Sequence, residues 1–397
     1  MDIFDSRYFI ITKKGLSCFG IWCYQKTWQK FLFQFFIFSN VISINYIQSL
    51  DLINNWGKNL DDVLHCLGQI ILFQMGLVEV CIYSINQKKI MHLANCIRND
   101  WKLWSSSYEL KILREHAETG RNLTLLYFGY NFSAFWSYVL FSASPLLLGG
   151  IFPIFLNYTM KPLYPAVYPI DSDKYYLYIL IHNYMTALYT LAAFCACDSM
   201  LAVTTQHACG LLAIVGYRLK NISIDFQSIT NENVGKEKEF FQRNLFYFIK
   251  YHNYALRYIK VLESVYSPFL FFSLGINVLT ISFSLVQTSL QIEQNESFIE
   301  TAILALATIS HVYFLGLPSQ NLINQSTNIS WNMYNSEWYM LPIKIKKIIP
   351  FIIRQGDIHC QLSIGKIATL NMETVSQILK MAFSYFTMLS AVSSTSK

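Results

Sequence analysis

Two carboxylates interrupt long apolar segments of the sequence. Glu79 lies in the segment 63–87, and Asp198 is the only charged residue between Tyr175 and Tyr217. A carboxylate inside a membrane-spanning segment is costly to bury and by default marks a functional site. Both carboxylates lie near the inner ends of their segments, where we expect pairing with Lys, Arg or Tyr. A functional role and a structural role therefore both remain open.

A second group of potential ligands lies close to Asp198 in the sequence. Cys195, Cys197, His207 and Cys209 are residue types that bind zinc, but their spacing matches no closed zinc pattern. We therefore expect no metal and no cofactor. The sequence has no glycine-rich phosphate loop, no HExxH motif and no nucleophile elbow, so we expect no enzymatic activity.

Ligand binding is the chemistry that the remaining residues favour. The chain has 26 Tyr and 30 Phe, and ligand cavities are lined by apolar and aromatic groups with a few polar ones. Three apolar segments carry such residues at helical spacing. The candidate ligand-binding residues are Gln69, Phe73 and Gly76, then Phe135, Tyr138 and Ser142, then Tyr178, His182 and Met185. The alternative for each residue is ordinary helix packing or contact with lipid.

The elements that position these residues are predicted to cross a membrane. The chain is 53% hydrophobic and 14% charged, whereas soluble domains carry about 25% charged residues. A membrane-spanning helix needs about 20 mostly apolar residues. Seven stretches meet or approach this length: 31–53, 63–87, 123–150, 175–200, 262–290, 298–317 and 375–393. We therefore predict an all-α polytopic membrane protein with seven transmembrane helices.

The distribution of Lys and Arg indicates the direction of the spans, because these residues are retained on the cytoplasmic side. With seven spans, 25 of the 30 Lys and Arg fall on one side and four on the other, and Lys380 lies within the last span. The 25 fall in the segments 1–30, 88–121, 218–260 and 318–370. We therefore predict a cytoplasmic N-terminus and an extracellular C-terminus. Two spans within 175–217 would reverse this pattern, so we predict one span with a cytosolic helical extension.

The segments between spans differ on the two sides. The outer loops, at about 54–62, 151–174 and 291–297, are too short to form a domain, and Asn157 and Asn295 there are candidate glycosylation sites. On the inner side, apolar residues recur at helical spacing from Phe241 into the fifth span. We expect a cytosolic layer of helices that extend the spans and pack on other subunits. Helices lying flat on the membrane surface are the alternative.

The C-terminal third resembles a known family, the insect odorant receptors. The matching segments are Gln361–Lys366, Leu370–Thr374, Gln377–Lys380 and Ser384–Leu389, preceded by Trp338–Pro342. Near the N-terminus Phe19–Trp22 also fits, although Cys23 stands where the family often has proline. The predicted orientation is also that of the family.

The resemblance implies a ligand-gated, non-selective cation channel of four subunits, in which a tuning receptor assembles with an obligate odorant co-receptor. The last span lines the pore, and by this resemblance Met388, Ala391 and Val392 form its narrowest part, with Ser384 one turn earlier. The co-receptor has a long insertion between spans four and five. Since 218–260 is too short for it, this chain resembles a tuning subunit.

The implied setting is the plasma membrane of olfactory sensory neuron dendrites, where the heterotetramer would detect small volatile molecules. On this basis the chain divides into four parts. They are the cytoplasmic N-terminal segment 1–30, spans one to four with an outer ligand pocket in 31–217, spans five and six with anchor helices in 218–374, and the pore-lining span in 375–397.

Three other classes of protein share part of this pattern or remain as alternatives. A gustatory-receptor-type channel shares the topology, but its motif closes with Gln-Phe, where this chain has Leu389–Val392. A G-protein-coupled receptor has an outer N-terminus and DRY-type and NPxxY-type motifs, which this sequence lacks. An orphan transporter usually shows internal symmetry, and we see no internal repeat.

The predicted orientation is testable with epitope tags. A tag before Asp2 should be inaccessible to antibody in intact cells, whereas a tag after Lys397 should be stained, because the basic residues hold the inner segments in the cytoplasm. Permeabilised cells should stain equally for both tags, which controls for expression. The opposite pattern in intact cells would overturn both the topology and the resemblance.

Overall fold

The computed structural model describes residues 2–56, 60–104, 108–148, 168–171, 174–223, 237–293 and 298–395. Helices dominate this part of the chain. They are α1 (Ile10–Cys18), α2 (Thr27–Asn55), α3 (Leu60–Ile85), α4 (Gln87–Leu103), α5 (Tyr108–Leu148), α6 (Tyr176–Lys220), α7 (Glu237–Glu293), α8 (Ile299–Tyr334), α9 (Ile343–Lys346), α10 (Ile349–Gly356) and α11 (Met372–Thr395). Two short strands, β1 (Ser363–Ile364) and β2 (Ala368–Thr369), pair antiparallel.

Several helices meet the requirements of a membrane span, because a helix satisfies its own backbone hydrogen bonds where water is absent. Within the described residues, six stretches are long and apolar enough to cross a bilayer. They are Thr27–Asn55, Cys66–Ile85, Tyr176–Lys220, Phe246–Glu293, Ile299–Tyr334 and Met372–Val392. The predicted third span lies on α5, which continues to the limit of the described residues at Leu148. The prediction of an all-α membrane protein is confirmed.

The longest helices extend well beyond a bilayer. α6 has 45 residues, which corresponds to about 67 Å, against about 30 Å for the hydrocarbon core. It is unbroken, which confirms the prediction of one fourth span with a helical extension. α7 has 57 residues and α8 has 36, the latter passing through Pro318. The prediction that helices continue the spans is therefore confirmed for α6, α7 and α8.

The inner part of α6 is the centre of the bundle. Every residue from Ala193 to Leu212 is buried, and many of them are Ala, Ser, Thr or Cys. Small residues allow helix backbones to approach closely. At Gly76 of α3, an added Cβ would lie 2.9 Å from Thr190 Cγ2 of α6, and at Gly216 it would lie 2.6 Å from Asn332 Nδ2 of α8. These contacts leave no room for larger side chains.

The N-terminal segment folds against α4. Phe4 packs edge-on to Trp22, with ring centroids 5.1 Å apart, and Asp2 accepts a hydrogen bond of 2.8 Å from Arg98. Burial opposes ionisation of Asp2, but the Arg98 contacts outweigh it and lower the pKa of this carboxyl. Gly20 has a φ of +66°, and an added Cβ there would lie 2.7 Å from the Lys30 carbonyl oxygen. This explains the glycine in the segment Phe19–Trp22.

The C-terminal signature segments form the hairpin and the start of α11. Gly365 and Lys366 both have positive φ, as in a type I′ turn, and the Gly365 N–H donates to the Ser267 carbonyl of α7 at 3.0 Å. Asn371 Oδ1 accepts from the Thr374 N–H at 2.7 Å and caps α11. Ser319 of α8 donates to the Leu370 carbonyl at 2.6 Å. The hairpin thus fixes where α11 begins against α7 and α8.

Candidate functional site

An apolar cavity lies between α3, α5, α6 and α8. Its volume is about 110 Å³, of the order of the roughly 150 Å³ apolar cavity that holds one benzene molecule in another protein. The lining residues are Gln69, Leu72, Phe73 and Met75 of α3, Asn131, Ala134, Phe135 and Tyr138 of α5, Ala187, Thr190, Leu191 and Phe194 of α6, and Ile303, Leu304, Ala307, Thr308 and His311 of α8. Such a cavity suits a compact, mostly apolar molecule.

Few polar atoms of the lining are free to bind a ligand. The hydroxyls of Thr190 and Thr308 donate to carbonyls of their own helices at 2.9 and 3.0 Å, and Asn131 Nδ2 donates to the Tyr127 carbonyl at 2.9 Å. By contrast, Gln69 Oε1 is buried and has no hydrogen-bond partner among the described residues. An unsatisfied buried acceptor is costly, so this atom is the natural partner for a donor on a ligand.

The sequence-predicted pocket residues separate into two groups. Gln69, Phe73, Phe135 and Tyr138 come together in the cavity lining. Gly76 instead contacts α6 at Thr190, and the side chain of Ser142 lies outside the described part of the structure.

The three predicted residues near the start of α6 lie elsewhere. His182 Nδ1 is 2.8 Å from the Tyr168 hydroxyl and its Nε2 is 2.9 Å from Ser43 Oγ. Tyr178 is 70% exposed and Met185 is 37% exposed. The predicted glycosylation sites Asn157 and Asn295 also lie outside the described residues.

Sequence reasoning missed the wall formed by α8. Ile303, Leu304, Ala307, Thr308 and His311 recur at three- and four-residue intervals, which places them on one face of the helix. The same spacing was present in the sequence, with a single imidazole in an apolar run as a further signal. From the sequence alone, this row of residues could not be distinguished from a lipid-facing face of the helix, because the neighbours of α8 were not known.

The two intramembrane carboxylates meet at the floor of this cavity. Glu79 of α3, Asp198 of α6 and His311 of α8 are all buried, and one ligand atom from each lies within 4.8 Å of the others. Tyr127 donates to Asp198 Oδ2 at 2.8 Å, and Ser273 of α7 donates to Glu79 Oε1 at 3.1 Å. The expected tyrosine partner is therefore present, but the basic group beside Asp198 is His311 rather than Lys or Arg, at 2.9 Å.

The other candidate ligands do not form one site. Cys195 and Cys209 are 14 positions apart on one continuous helix, which separates them by about 21 Å. His207 Nε2 is 2.9 Å from Asp100 Oδ2, and Tyr254 also donates to Asp100 at 3.0 Å. His207 therefore has a structural partner in α4.

The residues that the resemblance places at a pore lie on an uncovered face of α11. Ser384, Met388, Ala391 and Val392 are all exposed in the isolated chain. The opposite face packs on the bundle through Val375, Ile378 and Ala382, which are buried. Only 17% of the apolar stretch of α11 is buried, compared with 72% for α6.

Comparisons with known proteins agree with this architecture. The family model described as "7tm Odorant receptor" matches residues 59–383. Odorant receptor Or2 of Anopheles gambiae is 22% identical over 363 residues, covering 89% of this chain and 90% of that protein. Putative odorant receptor 85d of Drosophila melanogaster is 18% identical over 377 residues, covering 92% and 88%.

The fold has also been seen in a solved structure. Olfactory receptor OR5 of Machilis hrabei in complex with eugenol superposes with a TM-score of 0.74 at 13% identity, covering 97% of each chain. At this identity the similarity concerns the fold alone. The family match, which spans most of the chain, goes further: this membrane protein belongs to the insect odorant receptor family.

Proposed function

We propose that this chain is the odorant-tuning subunit of a ligand-gated, non-selective cation channel that it forms with the odorant co-receptor. The observation that carries the proposal is the pairing of an apolar cavity among the helices with a last helix that is largely uncovered. The cavity supplies a place for a small ligand inside one subunit. The uncovered face of α11 supplies a surface that other subunits and a pore would occupy.

The cavity is proposed as the odorant site. Its lining is apolar and aromatic, with the unpartnered Oε1 of Gln69 among a small number of polar groups. Recognition would therefore depend on shape and dispersion, with one hydrogen bond from a ligand donor such as a hydroxyl. The complex of the Machilis hrabei receptor with eugenol supports a small ligand of this size class.

The uncovered helix supports assembly around a pore. Met388 is 55% exposed and Val392 is 49% exposed, and residues at i, i+3 and i+4 share one face of a helix. Ser384, Met388, Ala391 and Val392 would line the pore, with the apolar residues closing it by excluding water. The long inner ends of α6, α7 and α8 would form the anchor shared between subunits.

The connection between α6 and α7 supports the tuning role. α6 ends at Lys220 and α7 begins at Glu237, which leaves no room for the long insertion of the co-receptor. The basic segments support the cytoplasmic N-terminus and a multi-pass position in the plasma membrane. We place this subunit in the dendrites of olfactory sensory neurons.

Co-expression tests the proposed channel. The chain alone should give little odorant-evoked current, and the chain with the co-receptor should give a cation current that does not require GTP, because the ligand opens the pore directly. Cells that express the chain alone and cells that express the co-receptor alone serve as the controls. Responses abolished by blocking G proteins, or substrate uptake without current, would contradict a ligand-gated channel.

Two conservative substitutions test the proposed pocket. Gln69→Met removes the unpartnered amide oxygen at nearly constant volume and should weaken responses to alcohols about 2- to 13-fold, since a neutral hydrogen bond contributes about 0.5–1.5 kcal/mol. Responses to hydrocarbons of the same shape should be unchanged or stronger. Tyr178→Phe also removes a polar group, but at an exposed position, and should leave the ligand ranking intact. Identical rankings for both variants would place the odorant elsewhere.

Polar substitutions test the proposed gate. Met388→Ser and Val392→Ser should raise the ligand-independent current of the heteromer several-fold, because a hydroxyl stabilises water in the closed pore. Phe383→Ser is the control: it is also exposed, but it lies about 140° around the helix from Met388. Normal basal current in both gate variants, at normal surface levels and with normal odorant responses, would move the gate away from these residues.

A further inference from the structure

The cluster below the cavity has an unusual charge balance. Glu79, Asp198 and His311 are 1%, 0% and 2% exposed, and their ligand atoms lie within 4.8 Å of one another. Two ionised carboxylates this close together in a dry interior repel each other and lose their hydration. The cluster therefore requires positive charge from a proton or from a bound cation.

The hydrogen bonds around His311 fix its tautomer. Asn277 Nδ2 donates to the Ser273 carbonyl at 2.7 Å, so its Oδ1 faces His311 Nδ1 at 3.1 Å. Because the atom that faces Nδ1 is a hydrogen-bond acceptor, Nδ1 must donate, and the ring proton of neutral His311 is on Nδ1. The lone pair on Nε2 then points into the cluster.

The geometry at Nε2 favours a cation over a shared proton. Nε2 lies 2.9 Å from Asp198 Oδ2, but the contact lacks the alignment of a hydrogen bond and Nε2 has no other partner among the described residues. A proton shared between the two atoms would require that alignment. By contrast, two donor atoms that each lie about 2.1 Å from a tetrahedral zinc ion are about 3.4 Å apart, so Nε2 and Oδ2 would hold one ion between them after separating by about 0.5 Å.

Each of the three residues also offers an unpartnered atom. Glu79 Oε2, Asp198 Oδ1 and His311 Nε2 are buried and make no hydrogen bond to any described residue. The residues come from α3, α6 and α8, and one ligand atom of each lies within 4.8 Å of the others. For all three to bind one tetrahedral ion, ligand atoms that lie up to 4.8 Å apart must approach to about 3.4 Å of one another.

The neighbouring residues are arranged as they are around protein-bound metals. A metal-binding histidine usually donates its second N–H to a carbonyl or carboxylate, and ligating carboxylates accept further hydrogen bonds. Here His311 is held by Asn277, Asp198 by Tyr127 and Glu79 by Ser273. These contacts orient the three donors without using Nε2.

We propose that Glu79, Asp198 and His311 bind a divalent zinc-class cation at the floor of the cavity. Two carboxylates and one neutral imidazole carry a charge of −2, which a dication neutralises. The nitrogen donor disfavours Ca²⁺ and Mg²⁺, which take oxygen ligands, and suits Zn²⁺. The ion ties three helices together directly below the cavity, because His311 belongs to both the cavity lining and the metal site.

Metal content tests the site independently of any odorant response. The full-length chain is purified in detergent with the subunits that assemble with it, and zinc is measured per chain by mass spectrometry after dialysis against metal-free buffer. The wild-type chain should retain roughly one zinc ion, with nitrogen and oxygen ligands at about 2.0–2.2 Å in its X-ray absorption spectrum. His311→Gln and Asp198→Asn should each lower retained zinc at least about tenfold.

His207→Gln is the matched control. His207 is also buried and 2.9 Å from a carboxylate oxygen, that of Asp100. Within the described part of the chain no second carboxylate joins this pair into a metal-binding group, so the variant should retain zinc like the wild type. Should the site variants fail to fold, wild-type and His207→Gln protein are treated with a zinc chelator, which should lower their melting temperatures, and added Zn²⁺ should restore them. Wild-type protein without zinc, equal zinc in His311→Gln, or no response to chelation and Zn²⁺ would overturn the proposal and leave a shared proton as the neutralising charge.

Discussion

The burial of α6 is the constraint on which the rest of the structure depends. The part of this 45-residue helix that is buried without interruption, from Ala193 to Leu212, must present small side chains, and Ala193, Ala196, Ala202 and Gly210 do so. Its neighbours α3, α5, α7 and α8 then approach closely, which excludes water and leaves polar groups to find partners within the bundle. Along its length, α6 lines the cavity with Thr190 and Phe194, supplies Asp198 to the carboxylate cluster and contacts α4 through His207.

The cavity and the carboxylate cluster lie next to each other along the helix bundle. Thr190 and Phe194 of α6 line the cavity, and one turn further on Asp198 lies in the cluster with Glu79 and His311. Because a buried polar network holds its neighbours rigidly only when its members are satisfied, the proposed cation would make the cluster a firm floor for a ligand. The His311 ring belongs to both the cluster and the cavity lining and so connects the two.

The C-terminal helix α11, unlike α6, is buried on one face only. The hairpin turn at Gly365 and the cap at Asn371 fix its start, and Val375, Ile378 and Ala382 bury one face. The remaining faces stay uncovered in a single chain, which is the arrangement expected for a helix completed by other subunits. The signature residues Gln361–Thr374 are thus explained by local geometry: positive φ, capping and contacts to α7 and α8.

The sequence by itself determined the all-α membrane architecture, the continuity of α6 and α7, and the family. These follow from local properties, namely apolar length, helical spacing and short motifs. It also identified Gln69, Phe73, Phe135 and Tyr138, which line the cavity, but placed Gly76, Tyr178 and His182 beside them. Only the tertiary structure decided that α8 completes the cavity and that Glu79, Asp198 and His311 meet. Those contacts join residues more than a hundred positions apart on separate helices, and helical spacing shows which residues share a face but not which helix that face meets.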